Sequence, residues 1–103
     1  MYSIIETTTD DIEIAKSISN KLISENLSPC IQIVENIHSL FVWNGKVNDT
    51  NEILVRIKTH KDLIDKICSK VKKMHNYDVP ELISYDLNIE SNEYKKWFNS
   101  SGK

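Results

Sequence analysis

The sequence predicts an α+β domain with the ferredoxin-like strand and helix order βαββαβ, and three observations lead to this expectation. A strand-like run over residues 2–9 precedes a segment whose apolar residues recur at helical spacing. An Asn44-Gly45 pair joins two segments rich in apolar and β-branched residues, which is typical of a tight β-hairpin. A second amphipathic helix and a further strand follow. This order predicts an antiparallel sheet with two helices on one face and a short C-terminal helix.

The first strand is expected over Tyr2–Thr9, because isoleucine and threonine favour an extended backbone. Asp10 is the predicted N-cap of the first helix, and Glu13, three positions later, would complete a capping-box-like pair. The helix is expected to reach about Asn26. Its buried face is predicted from apolar residues at helical spacing, namely Ile12, Ala15, Ile18, Leu22 and Ile23.

The second strand is predicted over the apolar-rich run Cys30–Trp43, which Pro29 opens, with a bend near Glu35-Asn36. Asn44-Gly45 readily supplies the positive φ angles of a two-residue type I′ turn. The second and third strands are therefore expected to be antiparallel neighbours.

After the polar residues 48–51, the third strand is expected to carry a core-facing row at every second position over Ile53–Thr59. That row comprises Ile53, Val55 and Ile57. Thr59 is the predicted cap of the second helix, which is expected to end near His75. The buried stripe of this helix is Leu63, Ile67, Val71 and Met74.

The C-terminal part of the chain is expected to add one strand and one helix. Residues 81–86, after Pro80, predict a fourth strand. A short amphipathic helix follows, with aromatic residues at positions i, i+3 and i+4: Tyr94, Trp97 and Phe98.

Composition limits the function classes. A chain of 103 residues accommodates one domain, taken as residues 1–103. A net charge of −2 gives no electrostatic reason to expect a nucleic-acid partner, and no apolar run is long enough to span a membrane. Two cysteines are too few for a disulfide framework, and no secretion signal is evident, so a cytoplasmic location is expected.

The second strand predicts an oligomer. Its last four residues, Leu40, Phe41, Val42 and Trp43, would place bulky apolar groups on both faces of the sheet. A partner surface would remove them from water, at roughly 1.5–3 kcal/mol per buried side chain. The alternative is that Phe41 and Trp43 merely shield the tip of the hairpin.

Several motifs together resemble the CutA divalent-cation tolerance family over Ile4 to about Phe98. The most specific is His75-Asn76-Tyr77-Asp78-Val79-Pro80-Glu81, which is similar to the family pattern His-Pro-Tyr-x-x-Pro-Glu. The others are Trp43-Asn44-Gly45-Lys46, Ile57-Lys58-Thr59, Leu27-Ser28-Pro29-Cys30, and Tyr94 with Trp97. The resemblance implies a PII-like homotrimer that associates with divalent cations, copper especially.

Two departures from the family pattern matter. Asn76 stands where the family usually has proline, which is expected to loosen the turn after the second helix. Glu6 stands where some bacterial members carry a cysteine. Because a carboxylate is a harder ligand than a thiolate, a copper site dependent on that cysteine is not expected here.

The candidate metal ligands are His75 and Cys30. His75 lies at a helix C-terminus, where an imidazole could ligate a metal or simply cap the helix. Cys30 could be a thiolate ligand or a small buried apolar residue. Met74 is expected to pack in the core, and Cys68 is expected to pack there or to be partly exposed.

A second candidate site combines Trp43, Lys58, Tyr77 and Glu81. These side chains could converge on a small anionic ligand in a cleft between subunits. They could equally form an interface salt bridge with aromatic packing. The sequence does not separate the two interpretations.

Rival functions remain. The familiar enzyme motifs are missing, because the sequence has no nucleophile elbow, glycine-rich phosphate loop, HExxH or paired CxxC. A PII-like module that senses a small molecule and a trimeric scaffold that anchors another protein both stay open. The tight Asn44-Gly45 hairpin leaves no room for the long mobile loop of PII proteins.

Overall fold

The computed structural model describes residues 1–101 and has the predicted architecture, with strands in the spatial order β2-β3-β1-β4 and antiparallel pairing throughout. Helices α1 and α2 cover one face of the sheet. A 3₁₀ turn at Lys61–Leu63 leads into α2. The elements are β1 Tyr2–Thr9, α1 Ile12–Ser24, β2 Cys30–Trp43, β3 Lys46–His60, α2 Ile64–Met74, β4 Ile83–Leu87 and α3 Asn92–Ser101.

The core lies between the sheet and the first two helices. Residues at alternate positions of β1 and β3 face the helices, while α1 and α2 contribute one stripe each. Nine residues form the buried cluster: Ile5, Ala15, Ile18, Leu22, Leu27, Val55, Ile57, Ile67 and Val71. The prediction for Ile23 was wrong, since its side chain is 44% exposed.

The β2–β3 hairpin confirms both local predictions about its shape. Asn44 and Gly45 have φ angles of 52° and 74°, the left-handed pair that a type I′ turn requires. The pairing register shifts between Val34 and Ile37, and Asn36 there has a φ of 61°, which accounts for the predicted bend. β3 begins at Lys46 rather than Ile53, because polar residues 48–51 pair with β2.

Two predicted helix caps were wrong. The N-cap of α1 is Asp11, whose Oδ1 accepts the backbone N–H of Glu13 at 2.9 Å, whereas Asp10 accepts a hydrogen bond from Asn76. Thr59 lies buried within β3 and donates to the carbonyl of Leu27 at 2.7 Å. Its hydroxyl therefore joins the end of the sheet to the segment after α1.

The other face of the sheet, which we call the open face, is only partly covered. There α3 places the buried ring of Phe98 against Tyr2 and His60, with centroids 5.4 Å apart in each pair. β4 starts at Ile83 rather than Glu81, so Glu81 precedes the sheet. Among the residues described, no helix is long and apolar enough to cross a membrane.

Candidate functional cleft

A cleft of about 770 Å³ lies between the hairpin and the segment that follows α2. The hairpin side supplies Phe41 and Trp43 from β2 and Glu52 from β3, and residues 77–81 form the opposite side. Three of the four residues predicted for a ligand site, Trp43, Tyr77 and Glu81, line this cleft. The chain therefore brings together residues that are separated by more than 30 positions in the sequence.

Lys58, the fourth predicted residue, is not among the residues that line the cleft. Its position in β3 is opposite Cys30 of β2, and its Nζ lies 5.8 Å from the centroid of the Tyr94 ring. The described residues lining the cleft include three acidic ones, Glu52, Asp78 and Glu81, and no Lys, Arg or His. The cleft is therefore suited by charge to a cation rather than to the anion that the sequence suggested.

Glu52 is the cleft residue that the sequence analysis missed. It is 6% exposed, and its Oε2 accepts a 2.6 Å hydrogen bond from the hydroxyl of Tyr77. Within residues 1–101, that neutral phenol is the side-chain partner of the Glu52 carboxyl group. Burying a carboxylate without a neighbouring positive charge is costly, so Glu52 is the cleft residue that would gain most from a nearby cation.

The acidic groups of the cleft act on one another. Loss of hydration raises the pKa of the Glu81 carboxyl, and repulsion from Glu52 and Glu6 raises it further. Burial, followed by the hydrogen bond to Glu52, also raises the pKa of Tyr77, which keeps this side chain a neutral donor. In both cases burial is the larger cause, and the neighbouring Glu52 carboxyl group adds to it.

His75 connects Tyr77, which lines the cleft, to β1 through hydrogen bonds of both ring nitrogens. Nδ1 accepts the backbone N–H of Tyr77 at 3.0 Å, so the ring proton resides on Nε2, which lies 2.9 Å from the carbonyl oxygen of Thr8. The His75 and Tyr77 rings are also in contact, with centroids 4.9 Å apart. Metal ligation by His75 would require one of these hydrogen bonds to break.

Cys30, the other predicted metal ligand, lies at the opposite end of the open face. Cys30 pairs with Lys58 of β3, which in turn pairs with Ile4 of β1. His75 contacts Thr8 of β1, which is four residues, or about 13 Å, from Ile4 along the strand. Burial, and then the adjacent Cys30 thiol, raise the pKa of Tyr94. Within residues 1–101, no group of three or more His, Cys, Asp or Glu side chains could hold a metal ion.

Glu6 and Asn76, the two residues that depart from the family pattern, both form side-chain hydrogen bonds within the chain. Oε2 of Glu6 accepts hydrogen bonds from Arg56 Nε at 3.1 Å and from the Tyr85 hydroxyl at 2.8 Å, so its negative charge is balanced within the chain. Asn76 accepts a 2.6 Å bond from the Thr9 hydroxyl and donates to Asp10 at 2.8 Å. These two bonds anchor the turn after α2, which the missing proline was expected to loosen.

Comparisons with known proteins agree on one family. The model of the CutA1 divalent ion tolerance protein family matches residues 3–101. The chain is 34% identical over 98 residues to the chloroplastic protein CutA of Arabidopsis thaliana, covering 95% of this chain but 54% of that protein. It therefore spans about half the length of this plant relative.

Two further matches cover nearly the whole of both chains. The divalent-cation tolerance protein CutA of Thermus thermophilus is 30% identical over 101 residues, which are 98% of each chain. The crystal structure of CutA1 from Oryza sativa has a TM-score of 0.91 and 35% identity, covering 97% of this chain and 92% of that chain. The open four-stranded sheet is thus an arrangement that solved proteins of this kind share.

Proposed function

Since this chain belongs to the CutA1 divalent ion tolerance protein family, we propose that it is a non-enzymatic homotrimer that binds divalent cations in its acidic cleft. The observation that carries this proposal is the Glu52 carboxyl group, which is buried at the cleft and faces no positive charge among the described lining residues. A bound cation would balance that charge.

The donor set favours a particular kind of ion. Glu52, Glu81 and Asp78 offer carboxylate oxygens, which suit hard divalent cations such as Mn²⁺, Mg²⁺ or Ca²⁺. Copper(I) prefers thiolate, thioether or imidazole, and the two predicted ligands of these types, Cys30 and His75, lie beside β1 residues that are four positions apart, Ile4 and Thr8. In the proposed site, at most two of these carboxylates hold the ion at once, because the described residues contain no group of three His, Cys, Asp or Glu side chains that could hold a metal, and water completes its coordination shell.

The homotrimer is supported by exposed apolar residues near the hairpin tip. Leu40, Val42 and Trp43 of β2 and Val47 of β3 are between 56% and 75% exposed. Ile83 and Tyr85 of β4 add further exposed apolar area on the open face. Contacts with two further copies of the chain would bury these groups. Sedimentation at micromolar concentration is expected to give three times the monomer mass.

The location of the protein stays a prediction. Cys30 and Cys68 are both free thiols, which is compatible with the reducing cytoplasm. We therefore propose a cytoplasmic protein.

Calorimetric titration with Mn²⁺, Zn²⁺ and Cu²⁺ tests the cation site on reduced protein whose assembly has been verified by sedimentation. Glu52→Gln and Glu81→Gln are expected to weaken Mn²⁺ binding about tenfold or more, since each removes one ligand charge. Glu90→Gln, at an exposed carboxylate that does not line the cleft, is the matched control and is expected to bind as the wild type does.

The same titration examines the ligands predicted from the sequence. If the cleft is the site, Cys30→Ser is expected to leave the Cu²⁺ and Zn²⁺ affinities close to those of the wild type, whereas His75→Ala, which removes the support of Tyr77, is expected to weaken them less than Glu52→Gln does. Binding that disappears in either of these variants, and persists in Glu52→Gln, would move the metal site to His75 or Cys30 and refute the cleft proposal.

A further inference from the structure

We infer that Lys58 of a neighbouring copy enters the acidic cleft and forms an ion pair with Glu52 when no divalent cation is bound. The inference rests on the proposed homotrimer, and it assigns one residue of each copy to the cleft of the next. Three such contacts close a ring, because a cyclic assembly joins two different patches of the same chain. The two patches lie at opposite ends of the open face.

The first patch is the cleft, where a negative charge lacks a counterion. Glu52 is 6% exposed, and the Tyr77 hydroxyl that donates to it is uncharged. No Lys, Arg or His is among the described residues that line the cleft. The hairpin wall carries the exposed indole of Trp43, which the homotrimer would bury. Assembly therefore closes the cleft over a carboxylate that has no counterion, which is costly unless the neighbouring copy supplies a cation.

The second patch surrounds Lys58, whose positive charge lacks an acidic partner. The Lys58 side chain is half-buried, and its Nζ lies 5.8 Å from the centroid of the Tyr94 ring. None of the ion pairs among residues 1–101 includes Lys58. By contrast, Arg56, two residues away in β3, is paired with Glu6. The described chain therefore leaves the Lys58 ammonium group available to a carboxylate of another copy.

Glu52 and Lys58 cannot meet within one chain. Both lie on β3 an even number of positions apart, and Val55 and Ile57 between them are buried against the helices. The two charged side chains therefore share the open face. Six residues separate them, which corresponds to about 20 Å along the strand. A contact between these two side chains requires a second copy of the chain.

The Lys58 patch also exposes aromatic side chains, as the cleft does. Tyr85 and Trp97 are 45% and 44% exposed. Tyr85 lies in the same row across the sheet as Lys58, because Ile4 pairs with both. Trp97 packs on Tyr94, the ring nearest to the Lys58 ammonium group. Contact between the two patches would bury these rings and exclude water from the ion pair, which strengthens the attraction between its charges.

Zero-length cross-linking tests the contact on the full chain. A carbodiimide activates a carboxyl group, which an amine then attacks to form an amide while the activator leaves as a urea, so only groups in contact are joined. Chains labelled with ¹⁵N and unlabelled chains are unfolded, mixed and refolded together before coupling. The expected product joins Lys58 to Glu52, or to Glu81 beside it, in mixed-isotope form. A product without mixed isotopes, or no product at Lys58, would overturn the inference.

A double-mutant cycle measures the same contact through assembly. Lys58→Met and Glu52→Gln are each expected to raise the dissociation constant of the trimer about tenfold or more, because each removes one partner of a buried pair. The double variant is expected to show no larger effect than either single variant. Lys66→Met, at an exposed lysine of α2, is the matched control and is expected to assemble as the wild type does. Additive effects in the double variant would show that the two side chains do not meet.

Mn²⁺ titration separates this inference from the proposed function, at a concentration where each variant is a trimer. Lys58→Met is expected to bind Mn²⁺ about tenfold more tightly than the wild type, because no ammonium group has to be displaced. An unchanged Mn²⁺ affinity would overturn the inference and leave the metal proposal standing. Coupling between Lys58 and Glu52 without any Mn²⁺ binding would refute the metal proposal instead. Circular dichroism verifies that each variant is folded.

Discussion

Tyr77 and Glu52 are joined by a 2.6 Å hydrogen bond that links the segment after α2 to β3 across the floor of the cleft. The phenol is a neutral donor, the Glu52 carboxyl group is 6% exposed, and no basic side chain is among the described residues that line the cleft. This hydrogen bond joins the two sides of the cleft at the carboxyl group to which we assign the proposed cation. Tyr77 belongs to the motif that most clearly resembles the CutA family, whereas Glu52 belongs to none of the motifs.

Tyr77→Phe is expected to lower the free energy of unfolding by about 1–3 kcal/mol, because the buried Glu52 oxygen loses its donor. Chemical denaturation measures this change. Tyr85→Phe is the matched control, since it also removes a phenol from a glutamate, but Glu6 keeps its bond to Arg56. An equal decrease in the free energy of unfolding of the two variants would show that the Tyr77–Glu52 hydrogen bond contributes no more to stability than the Tyr85–Glu6 bond.

Stability is expected to fall as the pH rises above the ordinary glutamate pKa of 4.5 and through the raised pKa of folded Glu81. In that interval the folded state binds more protons than the unfolded state, so deprotonation favours unfolding. Denaturation between pH 4 and pH 8 should show this decrease, and Glu81→Gln should make it smaller. A stability profile that Glu81→Gln leaves unchanged would show that Glu81 is not the group responsible.

Gly45→Ala is expected to lower the free energy of unfolding by about 1 kcal/mol, because Gly45 has a φ of 74° that alanine adopts at a cost. Apart from the adjacent residues, no atom of the described chain lies within 4 Å of the position that a Cβ would take, so steric clash does not contribute. Gly45→Asn is the control and should cost less, since asparagine tolerates this conformation. If both variants lose the same stability, backbone strain is not the cause.

Asp11→Ala is expected to cost about 1 kcal/mol, because the first turn of α1 loses the acceptor of the Glu13 N–H. Asp11→Asn keeps an acceptor oxygen and should cost much less. Thermal unfolding followed by circular dichroism measures both variants. An unchanged stability of Asp11→Ala would mean that Asp11 does not cap the helix.

The fold was largely predictable because its signals are local. Asn44-Gly45 by itself determines the hairpin, and the stripe with Ile67 and Val71 indicates which face of α2 is buried. The helix caps were less predictable. Asp10 and Asp11 are adjacent and chemically identical, and only the three-dimensional position of Asn76 determines that Asp10 serves as its partner.

The site was harder to predict because it depends on pairing across the sheet. Lys58 was expected near Tyr77, but the strand register places it opposite Cys30. Glu52 alternates with Leu54 and Arg56 in β3, so its orientation away from the helices could have been predicted. Its partner Tyr77 is 25 residues distant, and no local pattern connects the two.

Paramagnetic broadening of the two indole N–H resonances by Mn²⁺ tests the central claim most directly. Trp43 lines the acidic cleft, whereas Trp97 packs on Tyr94, which is adjacent to Cys30 at the other end of the open face. A cation in the cleft is expected to broaden the Trp43 signal at substoichiometric Mn²⁺ and to leave Trp97 sharp, with the effect abolished in Glu52→Gln. Broadening of Trp97 first, or of both signals equally, would contradict a cation site at Glu52.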